Sequence, residues 1–332
     1  MIRDVENLLA QLRIIHAAIR DSVVTACEQT ALEQLSTIVA VQAGDAIFAI
    51  DRISEEVLLE HFERLGQKWS FVLIAEGVGE DGVVVFPAGT DPQQAELRII
   101  IDPIDGTRGL MYQKRPAWIL TGVAPNIGPT TNLSTIELAL QTEIPLVKQH
   151  LSDSLWAITG NDIGGERYNR LTGACSPLHA RPSQAKTIAQ GYGSIARFFP
   201  GGRAELASID DALFEQVLGT VPQGGAQAFE DQYICTGGQL YELMMGHDRW
   251  LADLRPLVAT FQQAGLCCHP YDLCTELIAR EAGVIVTNEQ GQHLTSLLDV
   301  TTGLSWMGYA NPAIQQQVAP VLDGILRQRS LL

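Results

Sequence analysis

Apolar residues recur every three to four positions in several stretches of the chain, which is the spacing of one buried helix face. The longest such pattern covers residues 4–28 and predicts an amphipathic helix. A second covers residues 55–65, where Ser54 is a candidate N-cap and Gly66 a candidate stop. Shorter helical patterns are found at residues 208–218, 239–245 and 273–282.

Short runs of β-branched and other apolar residues lie between these helices and are typical of buried strands. Residues 71–75 (FVLIA) and 98–101 (RIII) show the clearest runs. We expect Pro103 to end the second of these strands, because proline has no N–H to donate to the ladder. The runs in the first half indicate one antiparallel-rich sheet. Further strands are predicted at residues 46–50, 83–86, 119–124, 135–142, 155–159, 178–180, 233–235 and 284–287.

Acidic side chains follow two of these strands at the point where each strand ends. Glu76 follows residues 71–75, and Asp102 and Asp105 follow residues 98–101. Hard divalent cations need clustered oxygen ligands, and Mg²⁺ usually takes one or two carboxylates together with water and substrate phosphate. These acids therefore predict a metal-assisted phosphate site. An Asp beside proline or glycine can also be only a turn residue or a helix cap.

The charge of the chain bears on its partners. At 332 residues, with 46% hydrophobic and 18% charged residues, the chain has the composition of an ordinary globular protein with a large core. Its net charge of −16 argues against nucleic acid or an anionic membrane as a main partner. An acidic protein can bind a phosphate substrate when cations line the site, so the charge and the metal hypothesis agree.

The cysteines and the first residues indicate a cytoplasmic protein. Residues 1–10 carry charges where a signal peptide would have an apolar core, and no apolar run reaches the length of a membrane span. The six cysteines include the neighbours Cys267 and Cys268 and do not form a spaced disulfide framework. With His269 these two could form part of a zinc site, but no second pair has the spacing of one. We expect buried, reduced thiols.

Gly77, Gly79 and Gly82 spell GxGxxG after a strand, so dinucleotide binding has to be weighed. That fingerprint works when the loop opens a helix whose N-terminus meets the pyrophosphate. Here residues 83–86 (VVVF) follow and have a strand pattern, and Glu80 and Asp81 would repel phosphates. A β-hairpin turn is the preferred interpretation.

The string DPIDGT at residues 102–107, with an apolar strand before it, resembles the central motif of the inositol monophosphatase and fructose-1,6-bisphosphatase superfamily. That superfamily consists of metal-dependent, lithium-sensitive phosphatases. The resemblance covers residues 44–118 and 271–287. Where the family normally has Gly-Glu-Glu, this chain keeps the first Glu as Glu76 and has Gly77 in place of the second.

The second part of the resemblance is the family signature Trp-Asp-x-Ala-x-Gly. Tyr271 stands where the Trp would be, followed by Asp272, and the signature's Ala-Gly is present as Ala282-Gly283. The resemblance implies a layered α-β-α-β-α sandwich. It divides the chain into an N-terminal α+β half (residues 1–165) and a C-terminal α/β half (residues 166–332), with the site between them.

The resemblance also implies roles for individual residues. Asp51 would orient Thr107, which would accept a hydrogen bond from an attacking water activated by metal or relay its proton. Gly106, Thr107 and Arg108 would bind the phosphate and substrate. Two or three Mg²⁺ ions would be held by Glu76, Asp102, the main-chain carbonyl of Ile104, Asp105 and Asp272.

The expected substrate is a small phosphorylated metabolite: an inositol phosphate, a sugar bisphosphate or a nucleotide 3′-phosphate. We also expect a homodimer. The roles of Asp253, as a substrate-facing or a solvated acid, and of Lys114 and Arg115, as ligands of an extra phosphate or solvated side chains, stay open.

Two alternative functions remain. One is a haloacid-dehalogenase-type phosphatase, whose nucleophilic Asp lies two residues before the second Asp; here Asp102 and Asp105 are three apart. The other is a diverged, non-catalytic member that binds a phosphorylated metabolite or serves as an assembly subunit, because the second Glu of the family motif is missing.

Overall fold

The computed structural model describes residues 1–42, 45–79, 81–220, 225–258 and 267–332. Gly44, the first residue of the stretch that carries the resemblance, lies outside them. The helices of the described part are α1 (Val5–Gln29), α2 (Leu32–Leu35), α3 (Ala49–Leu65), α4 (Thr107–Met111), α5 (Arg203–Leu218), α6 (Thr236–Met244), α7 (Glu276–Glu281) and α8 (Pro312–Gln328). No helix in these ranges is both long and apolar enough to cross a membrane.

The described strands belong to a two-stranded hairpin and two larger sheets. The hairpin and the first large sheet contain β1 (Ile38–Gln42), β2 (Asp45–Phe48), β3 (Phe71–Ala75), β4 (Val83–Phe86), β5 (Leu97–Asp105), β6 (Ala117–Pro125), β7 (Leu138–Ile144), β8 (Leu151–Ile158), β9 (Gly164–Asn169) and β10 (Cys175–Pro177). The second large sheet contains β11 (Tyr192–Ile195), β12 (Asp248–Asp253), β13 (Ile285–Thr287) and β14 (Trp306–Tyr309).

The first large sheet has the strand order β10-β9-β8-β7-β6-β5-β3-β4. Its neighbouring strands are antiparallel except β3 and β5, which are parallel. This confirms the predicted antiparallel-rich sheet. The second sheet has the order β11-β12-β14-β13, with β11 and β12 parallel.

Alternate residues of β5 show how the layers are stacked, because side chains of a strand point to opposite faces in turn. Ile99 and Ile101 pack with α1 and α3 on one face of the first sheet. Ile100 packs on the other face in a core that includes α6, α7 and the second sheet. A third core lies between the second sheet and helices α5 and α8. The layers therefore run α-β-α-β-α, and the predicted sandwich is confirmed.

Helix α3 begins six residues earlier than the pattern at residues 55–65 predicts. Asp51 lies in its first turn and accepts a hydrogen bond from the backbone N–H of Phe48 (2.8 Å), so this carboxylate satisfies a backbone donor at the helix start. Ser54 is inside the helix, where its hydroxyl donates to the carbonyl of Asp51 (2.7 Å). The prediction that Ser54 caps the helix was wrong.

Pro103 does not end β5, contrary to expectation. Asp102 pairs with Leu120 and Asp105 with Trp118 of β6, so three steps along β5 match two steps along β6. This one-residue excess is a β-bulge. In a regular strand, residues three apart point to opposite faces, and the extra residue removes that difference. The bulge therefore lets Asp102 and Asp105 face the same side.

Glycines make the turn between β3 and β4, which is the predicted hairpin. Gly77, Gly79 and Gly82 have positive φ angles of 78°, 65° and 72°. A Cβ at Gly79 would lie 2.8 Å from the carbonyl oxygen of Val83, so a side chain there would clash with backbone. Among the described residues the turn leads into β4, so the dinucleotide-binding alternative lacks the helix N-terminus that it needs.

Other boundaries differ from expectation. Residues 178–180 and 233–235 are not strands, and α7 begins at Glu276 after a turn that contains residues 270–275. The expected boundary between halves at residues 165 and 166 falls inside β9, and the division into halves stays a prediction. The cysteines form no disulfide; Cys235, Cys268 and Cys274 are buried as expected, whereas Cys175 is exposed.

Candidate active site

The parallel pairing of β3 and β5 brings the first two acids together. Ala75 pairs with Ile101, so Glu76 and Asp102 leave neighbouring strands at the same edge of the sheet. The bulge after Asp102 then returns Asp105 to the same side. The local strand pattern and one bulge therefore bring three acidic residues from two strands to the same cleft.

The third segment comes from the layer on the other side of the sheet. Asp272 lies in the turn before α7 and accepts a hydrogen bond from the backbone N–H of His269 (2.6 Å). Asp102, Asp105 and Asp272 each offer one carboxylate oxygen, and these oxygens all lie within 4.8 Å of one another. Glu76 is outside this group of three but lines the same cleft.

Burial and mutual repulsion shift the titration of these acids. Burial raises the pKa of Asp102 well above its usual range, and the charges of Asp105, Asp272 and Glu76 raise it further. Burial and the charge of Asp272 likewise raise the pKa of Asp105. Burial raises the pKa of Asp272 to about 6, although the charge of His269 acts in the opposite direction. The cluster is therefore costly to ionise without a cation.

Helix α6 fixes the carboxylate of Asp105. The backbone N–H of Gly237, in the first turn of α6, donates to Asp105 Oδ2 at 2.6 Å. Glycine is required there, because a Cβ would lie 2.6 Å from Leu120 Cδ2 and 3.0 Å from Asp105 Oδ2. Hydrogen bonds from the backbone of Thr236 and the thiol of Cys235 also lower the pKa of Asp105 against the effect of burial.

Thr107 and Asp51 form a hydrogen-bonded pair beside the acids. The hydroxyl of Thr107 lies 3.0 Å from Asp51 Oδ1 and 2.9 Å from the carbonyl oxygen of Ile104. The backbone N–H of Ile104 in turn donates to Asp102 Oδ1 at 2.9 Å. Asp51, Thr107 and Asp102 therefore belong to one connected network.

Arginines and phenylalanines also line the cleft and form its basic, aromatic wall. The guanidinium of Arg108 lies 5.6 Å from the ring centroid of Phe48 and 5.5 Å from that of Phe199. The guanidinium of Arg255 lies 4.9 Å from the ring centroid of Phe198 and 5.6 Å from that of Phe199. These are cation–π distances. The cleft thus has one acidic wall and one basic, aromatic wall.

Asp253 is neither a solvated nor a substrate-facing acid. It is fully buried, and Arg255 holds its carboxylate with Nε at 2.9 Å from Oδ1 and Nη2 at 2.6 Å from Oδ2. Lys114 and Arg115 do not line the cleft, and Arg115 forms an ion pair with Asp231.

Glu55 occupies the space beside Gly77, the residue that replaces the second Glu of the family motif. A Cβ built at Gly77 would lie 2.5 Å from Glu55 Oε1. Glu55 follows Asp51 by four residues on α3, which places both on one helix face, and both line the cleft. The sequence analysis missed Glu55, although its spacing from Asp51 was the signal that could have identified it.

The structure brings every predicted site residue to a single cleft of about 180 Å³. The cleft residues that the sequence did not predict come mostly from the second half of the chain, and apart from Glu55 no local pattern marks them. The predicted residues in the cleft are Asp51, Glu76, Asp102, Ile104, Asp105, Gly106, Thr107, Arg108 and Asp272. The missed residues discussed above are Phe48, Glu55, Phe198, Phe199, Cys235, Thr236 and Arg255.

The donor set of the acid cluster fits a hard divalent cation. Carboxylate oxygens within a few ångströms of one another are the ligands that Mg²⁺ prefers. In the described part of the chain, Asp102, Asp105 and Asp272 form no ion pair with lysine or arginine. A bound cation would supply the missing positive charge.

Neither a protein-family model nor a curated protein matches the sequence. The structure is similar to the fructose-1,6-bisphosphatase of Leishmania major, with a TM-score of 0.70 at 13% identity over 96% of this chain and 93% of that chain. It is also similar to the extragenic suppressor protein suhB of Bartonella henselae, with a TM-score of 0.63 at 13% identity over 95% of this chain and 98% of that chain.

A third similar structure is the IMPase of Thermotoga maritima, with a TM-score of 0.59 at 15% identity over 96% of this chain and 99% of that chain. The match extends over nearly the whole length of all three proteins, so the complete layered architecture is shared. The chain therefore has the fold of these structures, which confirms the fold that the resemblance found in its sequence implies.

Proposed function

We propose that this protein is a Mg²⁺-dependent phosphomonoesterase that hydrolyses a small phosphorylated metabolite. The observation that carries the proposal is the convergence of Asp102, Asp105 and Asp272 within 4.8 Å, beside a threonine hydroxyl held by a carboxylate. The names of similar structures, a fructose-1,6-bisphosphatase and an IMPase, support the same class of reaction.

The acidic wall would hold the metal. Asp102, Asp105 and Asp272 would be its ligands, with Glu76 and the carbonyl of Ile104 completing the set. When bound, Mg²⁺ supplies an activated water nucleophile and neutralises charge on the phosphoryl oxygens. Glu55 would supply the negative charge that Gly77 lacks, because its carboxylate fills the space beside that glycine. We propose two ions, or a third if Glu55 holds one.

Thr107 would handle the proton of the attacking water. Asp51 Oδ1 lies within hydrogen-bond distance of the Thr107 hydroxyl and can accept its only hydrogen, which leaves the lone pairs of Oγ1 free to accept a hydrogen bond from water. Asp51 is fixed through Oδ2 by the backbone N–H of Phe48, so it can hold Thr107 in this orientation. General-base assistance of this kind contributes roughly 10²–10⁴-fold to a rate.

The basic wall would face the remainder of the substrate. Arg108 adjoins Thr107 in the chain, and the backbone N–H groups of Gly106 and Thr107 could bind phosphoryl oxygens. Arg255 and the phenylalanines line the same side of the cleft. A guanidinium group can donate two parallel hydrogen bonds to one phosphate group, which favours a phosphorylated small molecule as ligand. We propose that the enzyme acts as a homodimer in the cytoplasm, as the sequence led us to expect.

The test is phosphate release from a panel of inositol phosphates, sugar bisphosphates and nucleotide 3′-phosphates, with Mg²⁺ and with or without Li⁺. Asp102→Asn should lower kcat/KM on the order of 10³-fold or more, since several kcal/mol of charge stabilisation depend on the metal. Asp323→Asn is the control, because this exposed acid on α8 pairs only with neighbouring Arg327 in the described structure. It should leave kcat/KM unchanged.

Two results would contradict the proposal. Saturable, Mg²⁺-dependent binding of a phosphorylated metabolite without turnover would favour the non-catalytic alternative. An aspartyl-phosphate trapped on Asp102 would favour the haloacid-dehalogenase alternative, in which the carboxylate and not water attacks phosphorus.

A further inference from the structure

Gln141 is a fully buried polar residue in β7, a strand whose residues are otherwise mostly apolar and all buried. A buried amide costs free energy unless its donor and acceptor are both hydrogen-bonded. Gln141 satisfies this condition through groups from two other segments of the chain. Those two segments each support one acid of the cluster.

The amide nitrogen of Gln141 is connected to Asp105 through Gly237. Gln141 Nε2 donates to the carbonyl oxygen of Gly237 at 2.7 Å. The backbone N–H of the same Gly237 donates to Asp105 Oδ2 at 2.6 Å. Gln141 therefore holds, from the opposite side, the residue that orients the Asp105 carboxylate.

The amide oxygen of Gln141 is connected, through Thr275, to the turn that contains Asp272. Gln141 Oε1 accepts a hydrogen bond from the hydroxyl of Thr275 at 3.1 Å, and Thr275 is also fully buried. Thr275 ends the turn that contains Asp272. One side chain thus connects the N-terminus of α6 with the turn before α7, and each of these segments serves one acid of the cluster.

We propose that Gln141 is a positioning residue that sets the separation between the carboxylates of Asp105 and Asp272 by holding both of their supporting segments. The proposal rests on the proposed function, in that the acid cluster binds Mg²⁺. Residues that orient metal ligands in this way typically change metal affinity by about 10–100-fold when they are replaced.

The chain provides a matched control one residue away. Thr142 is buried in the same strand, and its hydroxyl lies 3.0 Å from His16 Nδ1 and 3.1 Å from Ser154 Oγ. Its partners are on the face of the sheet that packs against α1, away from the acids. Thr142→Val therefore removes buried hydrogen bonds from β7 without affecting the connection to the cluster.

The experiment measures Mg²⁺ affinity by isothermal titration calorimetry and, independently, the shift in Tm caused by saturating Mg²⁺. Gln141→Met, which keeps the length but removes both hydrogen bonds, should weaken Mg²⁺ binding about 10–100-fold. Thr142→Val should lower the Tm of the metal-free protein but leave Mg²⁺ affinity within twofold of the wild type. Thr275→Val removes one link and should give an intermediate loss of affinity.

Thr275→Val also keeps the test decisive if Gln141→Met does not fold, because it is a near-isosteric change. Unchanged Mg²⁺ affinity in whichever of these two variants folds would overturn the proposal, as would equal losses in Thr142→Val. Binding is measured without substrate. A wild type that binds Mg²⁺ but releases no phosphate would therefore contradict the proposed function and leave this proposal to be decided by the affinities.

Discussion

Asp105 and Asp253 are two buried acids in neighbouring parts of the molecule, and they are stabilised in opposite ways. Asp253 is fully buried and is held by two donors of Arg255. Asp105 is 6% exposed, receives hydrogen bonds from neutral donors, and lies within 4.8 Å of two further carboxylates. The first acid carries its own counter-ion, and the second lies among like charges.

The presence or absence of an internal counter-ion indicates whether a buried acid serves the fold or a binding site. A buried charge without a partner is strongly unfavourable, so an internal ion pair such as Asp253–Arg255 serves the fold. A group of acids without such a partner destabilises the fold and is expected where a cation from solution completes the site. Arg255 connects the two regions, because its guanidinium also contacts phenylalanines of the cleft wall and its charge lowers the pKa of Asp272.

The largest effect should come from breaking the internal pair. Asp253→Asn leaves the guanidinium of Arg255 buried without a counter-charge, which should cost about 3–5 kcal/mol of unfolding free energy. Urea denaturation of the metal-free protein measures this loss. The same change at Asp105, Asp105→Asn, should cost the metal-free protein less, because it removes repulsion from the neighbouring carboxylates and keeps one oxygen that can accept the hydrogen bond from Gly237.

The double variant Asp253→Leu with Arg255→Met sharpens this test. Replacing a whole buried ion pair by apolar residues of similar volume is often neutral, so the double variant should be more stable than Asp253→Asn. A double variant no more stable than the single one would show that the pair contributes through packing against Phe198 and not through charge.

The sequence predicted the acidic region far better than the basic one. Glu76 and Asp102 follow apolar strands, and this pattern can be recognised from neighbouring residues in the sequence. Arg255 was not predicted, because its place in the cleft depends on contacts with Phe198 and Phe199, which lie more than fifty residues earlier in the chain. Gln141 was missed for the same reason, since its partner Gly237 is 96 residues away.

The order of the layers was predictable from the resemblance, whereas local boundaries were not. Ser54 has the residue type of a cap, but the carboxylate of Asp51 satisfies the backbone N–H of Phe48 and the helix starts earlier. Pro103 was expected to end a strand, and instead it lies in the bulge that lets Asp102 and Asp105 face the same side of the sheet. At Pro103 the pairing with β6 outweighed a local preference, whereas at Ser54 one local interaction took the place of another.

The pH dependence of stability should report the burial of Asp272, one acid of the cluster. Burial raises the pKa of Asp272 from 3.8 to about 6, so the folded state binds more protons than the unfolded state between these values. Its contribution to stability is therefore fully present below pH 3.8 and is lost as the pH rises through about 6. A shift of this size corresponds to about 2–3 kcal/mol. Asp272→Asn should stabilise the metal-free protein by about this amount at pH 8 and hardly at all at pH 4.

Comparison of the variant with the wild type is essential here. Burial also raises the pKa values of Glu143, Asp210 and Asp248 to about 7, so the wild type as a whole should lose stability in the same direction. Only the difference between Asp272→Asn and the wild type reports Asp272 itself. If that difference did not change with pH, burial would not raise the pKa of Asp272 in the folded protein.

The smallest effect should come from adding the cation. Mg²⁺ at ten times its dissociation constant should stabilise the wild type by about 1.4 kcal/mol, because it binds the folded state only. Asp105→Asn should lose this gain, whereas the double variant at Asp253 and Arg255 should keep it, since Asp253 is not a ligand. Urea denaturation with Mg²⁺ or with EDTA at pH 8 measures both. Equal stabilisation of the wild type and Asp105→Asn would place the cation elsewhere, and the contrast between the two buried acids would then have no functional meaning.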